Sequence, residues 1–237
     1  MKAVRLFFAG LMLLSSYPSW CQQGSVAVLA DEDSKYVAVL ADGRRLMESG
    51  DPDEAIKEYF DRVLSEFDAA YGGNEMRYYC ARGPEESLLY LLTAAGNEQS
   101  AEVLSSTWAD GHFMKGYALL EMGHLSEARS SIERAIALSP ENSQYLSELG
   151  HIHQLLKEWP KALEYFRKAE MSAEAFSPPT VKAFELGVAR RGMGYVFVEL
   201  GRLDEAEDKY LQCLAADPND VRAKNELEYV RNLKVTQ

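Results

Sequence analysis

Small and bulky apolar residues recur along this chain at a fixed spacing, with polar residues between them. Gly116, Leu119, Gly123, Ala128, Ile132, Ala135 and Pro140 set the pattern. Thirty-four residues later stand Gly150, His153, Lys157, Ala162, Phe166, Ala169 and Glu174, and forty-four beyond those stand Gly194, Phe197, Gly201, Ala206, Tyr210, Cys213 and Pro218. An earlier copy fits Gly43, Leu46, Gly50, Ala55 and Tyr59. Within a copy the apolar positions fall three or four apart, the period of one helix face. Each copy therefore predicts two short helices packed antiparallel.

The template has a mechanical meaning. Two helices crossing closely need a small residue where they touch. Gly43, Gly116, Gly150 and Gly194 supply it on the first helix, and Ala55, Ala128, Ala162 and Ala206 on the second. A bulky residue one turn later (Tyr59, Ile132, Phe166, Tyr210) fills the space between them. Gly50, Gly123 and Gly201 sit where the first helix must end, and Pro140 and Pro218 end second helices. Ser126 and Asp204 read as N-caps. Asp51-Pro52-Asp53-Glu54 reads as a cap, a first-turn proline and a capping-box acid.

These residues resemble the tetratricopeptide repeat, a 34-residue helix–turn–helix unit that stacks into a right-handed α-solenoid. The resemblance covers roughly 109–142, 143–171 and 187–220 well. It covers 36–69 less well, because Arg62 stands where a small residue is usual. Lys157 replaces the turn glycine of the third copy. The expected fold is all-α, almost entirely helical. Ten extra residues around Ser172 to Pro179 predict a longer helix or a bulging loop.

The chain divides into 1–21, 22–69, 70–107 and 108–237. Lys2 and Arg5, the apolar run Leu6 to Leu14 and a polar stretch to Cys21 read as a secretory signal. Nine apolar residues are about half a bilayer crossing, so no membrane insertion of the mature chain is expected. The expected location is outside the cytoplasm, periplasmic in a bacterium. A lipid anchor on Cys21 is disfavoured by the bulky Trp20 before it. Val-Ala-Val-Leu-Ala-Asp occurs at 26–31 and again at 37–42, an offset of about three helical turns. The region 70–107 reads as a degenerate repeat, or as an insert carrying Tyr78, Tyr79 and Cys80. Gly83-Pro84 opens a helix to Ala95 there, and Ala101 to Thr107 reads as another short helix. Residues 220–234 read as the helix that covers the end of the stack.

Charge and chemistry narrow the function. With 25 basic against 37 acidic residues the net charge is −12, and losing Lys2 and Arg5 takes it to −14. Nucleic acid is a poor partner for such a surface. His151 and His153 are two apart and cannot share a metal from one helix face. No nucleophile elbow or phosphate loop is present, and no cofactor is implied. Cys213 occupies the small position held by Ala135 and Ala169, which reads as a buried thiol.

What the resemblance implies is a non-enzymatic scaffold that holds a protein or peptide in its concave groove. The alternatives are a structural, self-associating subunit of an envelope or secretion complex, and an enzyme with its site in 70–107. The residue after each crossing glycine should face the groove: Tyr117, His151 and Tyr195, with Tyr229 continuing the ladder and Phe113, Gln154 and Arg191 flanking it. The family's carboxylate clamp uses Lys, Arg and Asn. Among Phe113, Tyr117, Ser147, His151, Arg191 and Tyr195 only Arg191 resembles it, so chaperone tails are not expected ligands.

Overall fold

The computed structural model describes residues 33–73 and 75–236. Residues 1–21, read above as a secretory signal, and the 26–31 segment lie outside them. The first hairpin pairs α1 (Asp33–Glu48) with α2 (Pro52–Ala55), a π-helical turn (Ile56–Phe60) and α3 (Asp61–Tyr71). An insert follows: β1 (Arg77–Ala81), α4 (Pro84–Gly96) and β2 (Ala101–Ser105). Three more hairpins are α5 (Thr107–Glu121) with α6 (Leu125–Leu138), α7 (Ser143–Leu155) with α8 (Trp159–Phe176), and α9 (Pro179–Glu199) with α10 (Leu203–Ala216). Helix α11 (Val221–Val235) packs on α10 and closes the stack. The predicted α-solenoid is the observed architecture, interrupted by one small sheet.

The crossing contacts are as tight as the template requires. A Cβ on Gly116 would lie 2.7 Å from Ile132 Cδ1, and one on Gly194 the same distance from Tyr210 Cζ. Ala55, Ala128, Ala162 and Ala206 are wholly buried opposite them. At the turns Gly50, Gly123 and Gly201 take φ of +105°, +80° and +71°. Lys157 takes φ +58° at the equivalent place, so the third turn keeps its shape at a cost in strain.

Three local expectations are corrected. In the first hairpin Phe60, not Tyr59, fills the space beneath Gly43, and Tyr59 is only partly buried. The π turn adds one residue to the helix, so every later position shifts by one. Val63 then takes the small, buried site and Arg62 points to solvent, which accounts for the misfit of Arg62. Ser126 and Asp204 are not caps. Helices α6 and α10 begin at Leu125 and Leu203, with His124 and Arg202 at the cap positions. Side-chain capping occurs instead at Asn142, which accepts from Gln144 N, and Asp220, which accepts from Ala223 N.

The third correction is the insert. Residues 101–105 form a strand, and 70–107 is no helical hairpin. Strand β2 lies parallel to β1 in the register Arg77↔Ala101 to Ala81↔Ser105. Parallel strands need a crossover, and α4 provides it. Tyr79, Tyr90 and Ala94 make a small core between sheet and helix, with Tyr79 and Tyr90 stacked at 5.1 Å. Cys80 and Leu104, on the other face, join the core of the solenoid. The ten extra residues of the last interval lengthen α8 to 18 and α9 to 21 residues around Ser177-Pro178.

Burial decides the remaining candidates. Cys80 and Cys213 are both buried. Burial pushes the Cys213 thiol up to about 11, so it stays protonated. His112, on α5, is buried, and burial, helped by the nearby charges of Arg134 and Lys115, lowers its pKa to about 4 against the opposing pulls of Asp68 and Asp61.

Two outcomes follow. Ala206→Leu overpacks a fully buried contact and should cost about 1–3 kcal/mol in the melting transition; an unchanged midpoint refutes the packing. His112 is neutral in the fold but protonates near pH 6.5 when unfolded. Its contribution is therefore complete above that pH and is lost as pH falls toward 4. The stability gap between wild type and His112→Gln should narrow by about 2 kcal/mol on going from about pH 7.5 to about pH 5, measured by urea unfolding.

Candidate partner-binding face

The first helices of successive hairpins stand side by side. Helix α1 packs on α5, α5 meets α7 through the stacked rings of Phe113 and Tyr145 at 5.0 Å, and α7 packs on α9. Along this wall the residue after each crossing glycine occupies one repeated position: Arg44, Tyr117, His151 and Tyr195. One turn further on stand Glu48, Glu121 and Glu199, each four residues on, which places them on the same helix face. Arg44 pairs with Glu48 at 3.8 Å, and the Tyr117 and Tyr195 hydroxyls donate to Glu121 and Glu199. In α7 the partner lies one turn earlier: His151 Nδ1 is 3.1 Å from Glu148 Oε1. In α11 Glu226 and Tyr229 continue the row, close to Tyr195.

The predicted residues separate by depth. Phe113 and Tyr117 are 7% and 5% exposed. Their rings lie between α5 and α7 and present no open surface, because those helices approach closely there. Arg191 is neutralised by Asp220, the cap of α11. His151, Gln154 and Tyr195 are half-buried, and Tyr229 is 45% exposed. The accessible part of the ladder thus lies toward the C-terminal end. Arg44 and the carboxylate row escaped the sequence reading, although the glycine register that located Tyr117 locates Arg44 as well.

Electrostatically this face is acidic. Burial opposes a charge on His151, but Glu148 outweighs it and raises the pKa. Burial also raises Glu121, with Tyr117's hydroxyl pulling the other way, and raises Glu226 unopposed. Burial, then Glu199 and Glu226, raises Tyr195.

A second constellation lies at the insert, where the inner helices begin. Arg82 Nε donates to Glu86 Oε1 at 2.9 Å, and Arg82 Nη1 donates to Glu185 Oε1 of α9 at 2.8 Å. Glu86 Oε2 accepts from the Arg82 backbone N at 2.8 Å, and Ser177 donates to Glu185. Beside them Asp110 accepts from the hydroxyls of Tyr145 at 2.5 Å and Ser106 at 2.7 Å. Burial holds the carboxyls of Glu86 and Asp110 above their usual range. Glu86 and Glu185 are 1% and 5% exposed. Titratable groups do converge here, but they face one another. Tyr78 packs on Tyr71 and Trp108, and Tyr79 on Tyr90, so none of the insert's marked residues opens onto a substrate site. Arg82 instead ties the insert to a helix more than a hundred residues further along.

Among the described residues no group of His, Cys, Asp and Glu is arranged to hold a metal, and no helix is long and apolar enough to cross a membrane.

Tetratricopeptide repeat family profiles match residues 113–178 and 189–222. The chain carries tetratricopeptide repeats. A comparison with curated proteins gives no match. Among solved structures, Pseudomonas aeruginosa pilF aligns with 86% of this chain and 71% of its own, at 13% identity and a TM-score of 0.59. MamA aligns with 81% of this chain and 84% of its own, at 17% identity and a TM-score of 0.52. The first TPR of Spaghetti (RPAP3), bound to the HSP90 peptide SRMEEVD, aligns with 56% of this chain and 99% of its own, at 20% identity and a TM-score of 0.49. At these identities the likeness is one of fold.

Arg82→Met leaves two buried carboxylates without their cation and should cost about 3–5 kcal/mol. Lys115→Met, which breaks the partly exposed pair with Asp61 at 2.6 Å, should cost less than about 1 kcal/mol. Urea unfolding of both variants checks this, and equal losses would show that the buried pair carries no special weight.

Proposed function

We propose that this protein is an exported, non-catalytic scaffold that holds an extended segment of a protein partner along its wall of first helices. The observation that carries the reading is the graded exposure of one repeated position. In the hairpins the crossing glycine before it is buried against the second helix, and along the row Tyr117 is buried, His151 and Tyr195 are half-buried and Tyr229 of α11 is exposed. Half-buried aromatic side chains with polar tips, flanked by carboxylates, suit a ligand with apolar anchors and a polar backbone. Export rests on residues 1–21, and a reporter that is active only outside the cytoplasm, fused after Gln22, tests it.

A structural role in a larger assembly is a second reading. It draws on α4, whose outward side exposes Leu88, Leu91 and Leu92. Light scattering of the purified chain decides it: a mass of twice 26.6 kDa or more favours self-association, and a monomer mass refutes it.

For the scaffold, Tyr195→Ala should weaken a captured partner by about 1–2 kcal/mol while the fold survives. Tyr117→Ala, at the same repeat position but in the core, should instead cost about 3 kcal/mol or more of stability. Partner affinity per folded molecule and urea unfolding, measured on both variants, separate the two effects. Unchanged affinity in Tyr195→Ala would place the binding surface elsewhere.

A further inference from the structure

The insert leaves one side of its sheet open. Its two strands pair parallel in the order β1-β2, so each keeps an outer edge. The edge of β1 is covered: β1 touches α5 and α6, and Arg77 Nη2 donates to the Ala137 carbonyl at 2.6 Å. The edge of β2 is not. Arg77 N donates to Ser100 O at 2.9 Å, and in a parallel ladder that bond sets the alternation along both strands. Glu102 and Leu104 then turn their backbone groups to β1, while Ala101, Val103 and Ser105 turn theirs outward. Among the described residues no hydrogen bond engages those outward N–H and C=O groups.

The helix above the sheet is bare on the same side. Helix α4 lies over both strands, with Glu86, Tyr90 and Ala94 buried beneath it and Leu88, Leu91 and Ala95 exposed. Those three stand three and four residues apart and form one strip. No charge interrupts α4 from Ser87 to Gly96, in a chain whose net charge is −12. Parallel strands are joined by right-handed crossovers, and that hand turns the strip toward the β2 side. An open strand edge and an uncharged leucine strip thus share one side of one small unit. Solitary chains blunt such edges with charge or cover them.

We infer that this side of the insert is an interface with a second copy of the chain, in which β2 pairs antiparallel with its counterpart across a two-fold axis at Val103. Val103 then stands opposite its own copy and Ala101 opposite Ser105, and every outward backbone group finds a partner. The axis is perpendicular to the sheet, so both α4 helices lie on one face. Each sits over its own strand pair, and two strand spacings of about 4.8 Å set the helices about 9.6 Å apart. Helices pack at about 8–10 Å, so the strand pairing also joins the two leucine strips. Charge agrees, since the strip is neutral and Glu102 stands opposite Leu104 instead of its own copy. A foreign strand would fill the edge and leave the leucines bare; a second copy covers both. The inference rests on the self-association reading, gives it an interface, and is independent of the row along the wall of first helices.

The test is sedimentation velocity over a concentration series, with amide exchange followed by NMR, on the full chain as wild type, Val103→Pro, Leu91→Lys and Leu211→Lys. Proline at 103 removes an N–H that the single chain leaves unused. Lysine at 91 puts a charge into the strip, and Leu211, exposed on α10, controls for surface leucines at large. Melting curves verify that each variant folds. Wild type should sediment as a dimer, with Ala101, Val103 and Ser105 amides exchanging more slowly as concentration rises. Val103→Pro and Leu91→Lys should each weaken the dimer about tenfold or more, and Leu211→Lys should not. If Val103→Pro does not fold, the wild-type exchange profile decides. A dimer with fast-exchanging edge amides, or one that Leu91→Lys weakens no more than Leu211→Lys, overturns the interface and leaves self-association standing. A monomer at every concentration overturns both and leaves the scaffold untouched. A monomer whose Val103 amide slows only on adding a peptide selected from a display library assigns the edge to a foreign strand and overturns the second copy.

Discussion

Everything in this fold depends on one close approach repeated four times: a glycine of the first helix against a bulky side chain of the second. At 2.6 to 3.0 Å from a hypothetical Cβ, no larger residue fits without displacing that side chain. The approach buries the paired alanine completely and brings the helices close enough to share a core. Two continuous cores result, one from Leu40 to Ile152 and one from Ala162 to Val230. Phe166 shows how the hairpins are joined, since its ring also packs against Gly192 of the next hairpin. Because each hairpin leans on its neighbours, stability is distributed along the stack.

The insert departs from this one-dimensional logic. A βαβ unit cannot bury both faces of a two-stranded sheet alone, so one face takes α4 and the other takes the solenoid. Arg82 then pairs with Glu185, 103 positions further along the chain, and Tyr90's hydroxyl accepts from the backbone N of Glu141 at 3.0 Å. These contacts join three hairpins at one edge, where a plain stack would have only nearest-neighbour contacts. A buried ion network is weak support for net stability but a strong penalty on any arrangement that separates its members. Its consequence is a fixed position of the insert relative to α9.

On the wall of first helices, the same register that buries glycine against the second helix turns the next residue to another side of the helix. Depth along the stack decides which members of the row remain accessible. Between α5 and α7 the helices close over Phe113 and Tyr117. Toward α11 they do not, and Tyr195, Glu226 and Tyr229 stay within reach.

The sequence by itself determined the hairpins, their crossing points and their turns, because those are set by residues within one 34-residue unit. Gly116, Ala128 and Gly123 need only helix period and turn chemistry to be understood. Lys157 was legible as a turn from its place in the repeat. The tertiary structure decided whatever depends on distant partners. The pairing of β2 with β1 joins segments 24 residues apart, so no local period marked it. The π turn that shifts Tyr59 out and Phe60 in changes a count of residues per turn, which composition does not encode. The burial of Phe113 and Tyr117 and the commitment of Arg191 to Asp220 both depend on how closely neighbouring hairpins stack. That closeness is set by many side chains at once, and no single repeat contains it.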